Sequence, residues 1–175
     1  MWLKLVSQID SHPPTEQLHA VNDFFNNTLA FKTDLEIWSN ADYWASPLES
    51  LDKMQGDCED FTIAKYTTLL AAGFEASKLR LVYVQAQVGP DPERDVQAHM
   101  VLAYYRSPSA EPLILDNLVP QIRLASARTD LTPVFSFDAS SIWVAGQSSA
   151  YDSSQSRLSK WQSVLQRIRK EGFLE

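Results

Sequence analysis

The stretch MQGDCEDFTIAKYTTLLAAGF, residues 54–74, decides the fold, because it places the chain's only cysteine where a helix begins. Cys58 sits among Asp57, Glu59 and Asp60. Asp57 marks a helix start, and the helix runs from about Asp57 to Ala72. Phe61, Ala64, Thr68 and Ala71 share a stripe along it, with Cys58 and Lys65 close by. Gly73 then closes it as a left-handed cap. The unpaired N–H groups of a helix N-terminus favour an anion and lower a thiol pKa. Neighbouring carboxylates oppose that only where they face the sulfur. Successive helical residues turn by ~100°, so Asp57 and Glu59 are expected to point away from Cys58, with the sulfur on the core side. A cation held between the acids would offset their repulsion further.

Working outward, helices precede this stretch and strands follow it. Pro13 and Pro14 suit a helix entry, and Leu18, Val21, Phe25 and Leu29 recur at helical spacing. SPLE, residues 46–49, reads as a capping box with proline at the first helical position, giving a helix over about 46–54. After Gly73 come five strand-like runs: LRLVYVQAQV (79–88), AHMVLAYY (98–105), PLILD (112–116), PVFSFD (133–138) and SIWVA (141–145). GPDPERD, 89–95, is a polar hairpin loop. Near the C-terminus, Leu158, Trp161, Leu165 and Ile168 fall on one helical face. Helices first and strands afterwards indicate an α+β fold with an antiparallel sheet. The length, 175 residues, suits one domain over 1–175.

Composition excludes several classes. The net charge of −7 leaves no basic stripe to meet phosphates, so nucleic acid is not the partner. The one basic cluster, RIRK at 167–170, reads as a solvated helix face. No apolar run approaches the ~20 residues of a membrane span. One cysteine forms no intrachain disulfide, so the thiol belongs to a reducing compartment or has a task.

A nucleophilic cysteine needs a base and a group to orient it. His12 and His19 lie in polar surroundings of the first helix and read as surface or structural. His99 sits in VQAHMVLAYY, apolar on both sides, in a strand expected to be central. Taken alone it is equally well a core histidine. Asp116 ends the apolar run PLILD, where an acid is costly to bury without a partner, although a turn-forming aspartate before Asn117 reads the same way. Adjacent antiparallel strands can set Asp116 beside His99. The order Cys, His, Asp matches the papain-type arrangement.

These residues, with WASPLESLDKMQGDCEDFTIAKYTTLLAAGF, AHMVLAYY and LILDN in that order, resemble the bacterial transglutaminase-like cysteine proteinases, and among them the periplasmic adhesin-releasing type. The resemblance runs from about Trp38 to Trp143. It implies a papain-like, transglutaminase-like α+β fold with the nucleophile at a helix N-terminus packed on an antiparallel sheet. It implies Cys58 as nucleophile, His99 as general base and acid, and Asp116 as the orienting group. It also implies Ca²⁺ beside the nucleophile, matched here by Asp57, Glu59 and Asp60. Three hard carboxylates in one turn suit Ca²⁺ better than Zn²⁺, although plain N-terminal capping uses acids there too. The implied substrate is the N-terminal region of a giant surface adhesin, cut between two alanines. The implied regulator is the periplasmic domain of a LapD-like inner-membrane cyclic-di-GMP receptor. A periplasmic location calls for a signal segment, and none is visible in this sequence. For the oxyanion, the Cys58 backbone N–H is one donor; Trp38, Tyr43 and Trp44 are candidates for a second, core packing being their other use. The same triad serves transglutaminases and amidases, and without a reactive thiol the chain reads as a calcium-dependent binding module.

Overall fold

The computed structural model describes residues 1–138, 142–144 and 152–173. Helices α1 (Trp2–Ile9) and α2 (Pro14–Thr28) lead into a short strand β1 (Ala30–Phe31) and helix α3 (Asp34–Trp38). Helix α4 (Pro47–Lys53) and strand β2 (Gln55–Gly56) precede the long helix α5 (Cys58–Ala71). Then come β3 (Leu79–Gln87), β4 (Val96–Tyr104), β5 (Leu113–Leu115), β6 (Arg123–Leu124), β7 (Leu131–Phe137), β8 (Ile142–Val144) and helix α6 (Asp152–Lys170). The six longer-range strands form one sheet in the order β6-β5-β4-β3-β7-β8, every pair antiparallel. This is the expected α+β arrangement. Among the described residues no helix is long and apolar enough to cross a membrane.

Helix boundaries follow local chemistry. Pro14 occupies the first turn of α2, whose Leu18, Val21 and Phe25 are buried. Ser46 and Glu49 form a reciprocal capping box at α4, with Pro47 at its first position. Asp57 caps α5 in the same way with Asp60. At the other end Gly73, at φ 88°, takes the left-handed conformation, while Gly73 N bonds Leu70 O and Phe74 N bonds Leu69 O. That pair of bonds is a Schellman closure, which satisfies two otherwise orphaned carbonyls.

Helix α5 is not amphipathic, contrary to the single stripe expected. Every residue from Asp60 to Leu69 is buried, and Ala71 is exposed. It packs between the sheet and the other helices, so it has no solvent face along that run. The main core joins Phe61, Ile63, Tyr66 and Leu69 of α5 with Leu81, Met100 and Leu102 of the sheet, Phe25 of α2 and Trp161, Val164 and Ile168 of α6. The other sheet face carries a smaller cluster of Val82, Val84, Val101, Ala103 and Ile114. Five of these elements were not expected: α1, β1, α3, β2 and β6. α1 is pinned by Trp2, whose Nε1 donates to Thr68 Oγ1 at 2.7 Å, and β6 is a two-residue edge. In α6, Trp161, Leu165 and Ile168 are buried as expected; the side chain of Leu158, with Ser141 and Ala145 of the last strand-like run, lies outside the described residues.

Lys65 is almost fully buried on α5. Burial lowers its pKa to about 7, with Asp116 and Asp23 opposing the shift. The unfolded chain keeps that proton until near pH 10.5, so between about 7 and 10.5 the unfolded state binds more protons and stability rises with pH. Urea unfolding at pH 6 to 10 should therefore show Lys65→Met gaining most over the parent at or below pH 7, with the gap closing towards pH 10. Parallel curves would refute this.

Candidate active site

Strand β4 is interior to the sheet, and its residues from His99 onward are buried. β5 pairs with it through Leu102↔Leu115, Ala103↔Ile114 and Tyr104↔Leu113. Asp116, directly after β5, is thereby held beside β4. His99 Nε2 lies 2.7 Å from Asp116 Oδ1. The same Oδ1 accepts the Leu118 N–H at 3.0 Å, so the turn-forming aspartate and the histidine partner are one residue. Its other oxygen takes Arg128 Nη2 at 2.7 Å, and Arg128 Nη2 also lies 2.6 Å from Asp130 Oδ2. The His99, Asp116 and Arg128 side chains are nearly inaccessible. Burial alone would raise the Asp116 pKa, but His99, the Leu118 N–H and Arg128 bring it down to about 2. An ionised carboxylate only accepts hydrogen bonds, so His99 carries its proton on Nε2 and Nδ1 is the basic nitrogen.

The Cys58 thiol meets β4 at the next residue. It accepts a hydrogen bond from the Met100 N–H, and Thr62 Oγ1, one turn along α5, donates to Met100 O at 3.1 Å. Cys58 thus meets the strand at the residue that follows His99. The expectation for the adjacent acids fails here. Cys58 Sγ lies 2.7 Å from Glu59 Oε2, so Glu59 faces the sulfur. Burial, then the charges of Glu59 and Asp57, push the thiol pKa well up; only the Met100 N–H opposes them. Glu59 stands at the second helical position, where its long side chain can fold back across the first turn, and the ~100° step between Cβ vectors does not fix where its carboxylate ends.

The acids form two groups whose oxygens, or sulfur, lie within 4.8 Å of one another: Asp57, Cys58 and Glu59, and Asp34, Asp57 and Asp60. Asp34 was not anticipated. Parallel pairing of β1 with β2, Ala30↔Gln55 and Phe31↔Gly56, brings the start of α3 beside the start of α5. Asp34 Oδ2 accepts the Tyr43 N–H at 2.5 Å and Asp60 Oδ1 the Ala45 N–H at 2.7 Å. Asp34 Oδ1 and Asp57 Oδ1 are buried with no partner among the described groups. Burial and mutual repulsion raise Asp34, and carry Asp57 to about 9 and Asp60 to about 8. Gly56 is needed for this packing, since a Cβ there would stand 2.8 Å from Asp60 Cβ. Buried carboxylates without a counter-charge, all with hard oxygen donors, fit a divalent cation such as Ca²⁺.

Of the three aromatic donors, Tyr43 donates its hydroxyl to Glu49 at 2.7 Å and Trp44 is buried against Phe137. Trp38 Nε1 is buried with no partner among the described residues. His12 and His19 are exposed. The basic cluster is not a plain solvated face, because Arg167 bonds Glu49, the Trp44 carbonyl and Ser163 and lies over the Tyr43 ring.

A thiol at the first turn of a helix, beside a strand bearing a buried imidazole–carboxylate pair, defines a transglutaminase-like cysteine proteinase. The chain belongs to the bacterial transglutaminase-like cysteine proteinases, the family profile matching residues 6–164. It is similar to solved structures of LapG from Legionella pneumophila. One shares 40% identity, covering 95% of this chain and 85% of that one, at a TM-score of 0.79. A calcium-bound form gives 41% identity, 95% and 87% coverage and 0.79. An EGTA-treated form gives 42%, 95% and 86%, and 0.80. No protein with a curated function matches the chain.

Arg128→Met should cost about 3–5 kcal/mol in urea unfolding, because it strands a buried carboxylate. It should also raise the Asp116 pKa from about 2. A loss under about 1 kcal/mol would mean that Asp116 does not depend on Arg128.

Proposed function

We propose that the protein is a calcium-dependent cysteine endopeptidase of the periplasm. It cuts the N-terminal region of a large surface adhesin between two alanines and so releases the adhesin and promotes biofilm dispersal. A LapD-like cyclic-di-GMP receptor controls it by sequestration. The observation that carries this proposal is the position of the chain's only cysteine against the residue that follows His99. A cysteine proteinase needs a cysteine nucleophile, and this chain has one to offer. The LapG likeness, over 95% of the chain, supports the substrate, regulator and compartment.

Cys58 is the nucleophile, His99 the general base and acid, and Asp116 the group that orients the imidazole. His99 Nδ1 takes the thiol proton, which matters because burial and the acids hold that proton on sulfur. The thiolate attacks the scissile carbonyl carbon, and the oxyanion develops at the Cys58 backbone N–H. As the carbon–nitrogen bond breaks, His99 returns its proton to the leaving amine. Water then attacks the thioester, giving a proton to His99, and the acid leaves as the thiolate re-forms. Asp116 stays ionised throughout, stabilising the imidazolium without taking its proton.

Asp57 and Asp60, with Asp34, would hold the calcium; Glu59 lies in the adjoining group with Asp57 and Cys58. Bound there, calcium supplies positive charge that offsets the acids and stiffens the first turn of α5.

Cys58→Ala should abolish cleavage of an adhesin N-terminal fragment carrying Ala-Ala, with an unchanged circular dichroism spectrum. Cleavage retained in that variant, or cutting elsewhere when the Ala-Ala is replaced, would refute the assignment. EGTA should inactivate the enzyme reversibly, and full activity in excess chelator would remove calcium from the account. Asp34→Asn should act in opposite directions. By calorimetry it should weaken calcium binding ~10-fold or more, since affinity follows ligand charge. In chelator it should raise the melting temperature, since it removes one of the repelling carboxylates.

A further inference from the structure

We propose that the open edge of β4 at Val96–Ala98 is where the peptide substrate docks, main chain to main chain, in line with Cys58. This rests on the proteinase assignment above and specifies how that site grips its substrate.

β4 pairs with β3 along its whole length, from Val96↔Gln87 to Tyr104↔Leu79. On its other side it pairs with β5 only from Leu102 to Tyr104. Before that point β5 has ended, and the chain turns away at Asp116, whose carboxylate takes the Leu118 N–H. In an antiparallel ladder consecutive residues present their N–H and C=O alternately to the two neighbours. Met100 fixes which residues face which way. Its N–H goes to Cys58 Sγ and its C=O to Thr62 Oγ1, neither of them in β3. Leu102, two residues on, faces the same side and meets β5. Ala98, two residues before, turns its N–H and C=O to that side as well, and Ala98 is exposed.

Going back along this side of β4, the slot is filled by β5, then by the thiol, then by nothing among the described residues. Two residues of strand span about 6.6 Å. An extended peptide that pairs with Ala98 therefore carries a carbonyl one or two residues further on to Cys58. Ala98 supplies one donor and one acceptor, which grip any extended backbone regardless of side chain. A cavity of about 250 Å³ lies on the sheet face inward of this edge, running from Val96 and Ala98 of β4 across Tyr83 and Gln85 of β3 to Phe135 of β7. The small methyl of Ala98 leaves it open, and it can take a side chain of the docked strand. The recognised class is an extended peptide with unmodified backbone amides, bound by strand addition.

The test compares second-order alkylation rates of Cys58 by iodoacetamide, which has no peptide, and by acetyl-Ala-Ala-Ala chloromethyl ketone. The substitution Ala98→Pro deletes only the outward N–H, since Ala98 does not use it towards β3. The ratio of the peptide rate to the iodoacetamide rate should fall ~5–10-fold, the loss of one net hydrogen bond. With the unaltered protein, each amide of the peptide reagent is replaced in turn by an ester. One position should show a similar fall in the same ratio, so the proposal remains testable if the proline variant does not fold. Unchanged ratios across the ester series overturn strand addition while leaving the nucleophile standing. A Cys58 that reacts with neither reagent overturns the proteinase assignment itself, and this proposal with it.

Discussion

The peptide group of Met100 is where helix and sheet are put in register. Its N–H meets the Cys58 sulfur and its carbonyl meets Thr62, both on α5, while its chain neighbour is His99. A helix can rotate and slide over a sheet with little change in apolar contact area, so packing alone would not align a thiol with an imidazole. Two directional bonds to one peptide unit fix the start of α5 against β4. They lie at the N-terminal end of a helix buried nearly all round from Asp60 to Leu69.

The charges around this joint are segregated. Behind His99, Asp116 is flanked by Arg128 at 2.7 Å and attracts Lys65, and its pKa falls to about 2. On the far side of the thiol, Asp34, Asp57 and Asp60 crowd together, and Asp57 rises to about 9. Burial acts in the same direction on both carboxylates, so the difference comes from their partners. One acid is fixed as an anion and can orient an imidazole. The others lack a counter-charge.

Much of this was legible because it is local. The capping box of Ser46 and Glu49, the Gly73 closure and the Cys58–Ala71 helix follow from residues a few positions apart. His99 and Asp116 could be paired because each stands in an apolar run where a polar group needs a partner. Arg128 could not, since ASARTD reads as an ordinary polar loop and nothing local says that its guanidinium turns inward. Asp34 was hidden similarly. It follows Thr33, whose capping box with Glu36 explains an acid there without a metal, and only the β1–β2 pairing brings it to Asp57. The stripe drawn on α5 failed because a helix enclosed on all sides has no period to read. Glu59 was misplaced because a Cβ direction does not fix a carboxylate at the end of a flexible side chain.

The segregation of charge links order at the nucleophile to a cation. Without one, buried carboxyl groups from the starts of α3 and α5 crowd together and cannot all ionise, and two of them, Asp34 and Asp57, have an oxygen that no described group satisfies. That crowding falls on the turn that carries Cys58. A cation that binds only the folded arrangement adds RT ln(1 + [L]/Kd), about 2.7 kcal/mol at a hundredfold excess over Kd. That energy is delivered at the turn holding the thiol. The cation need not touch the sulfur to matter: by relieving this crowding it steadies the turn that sets the sulfur against Met100, the residue next to His99.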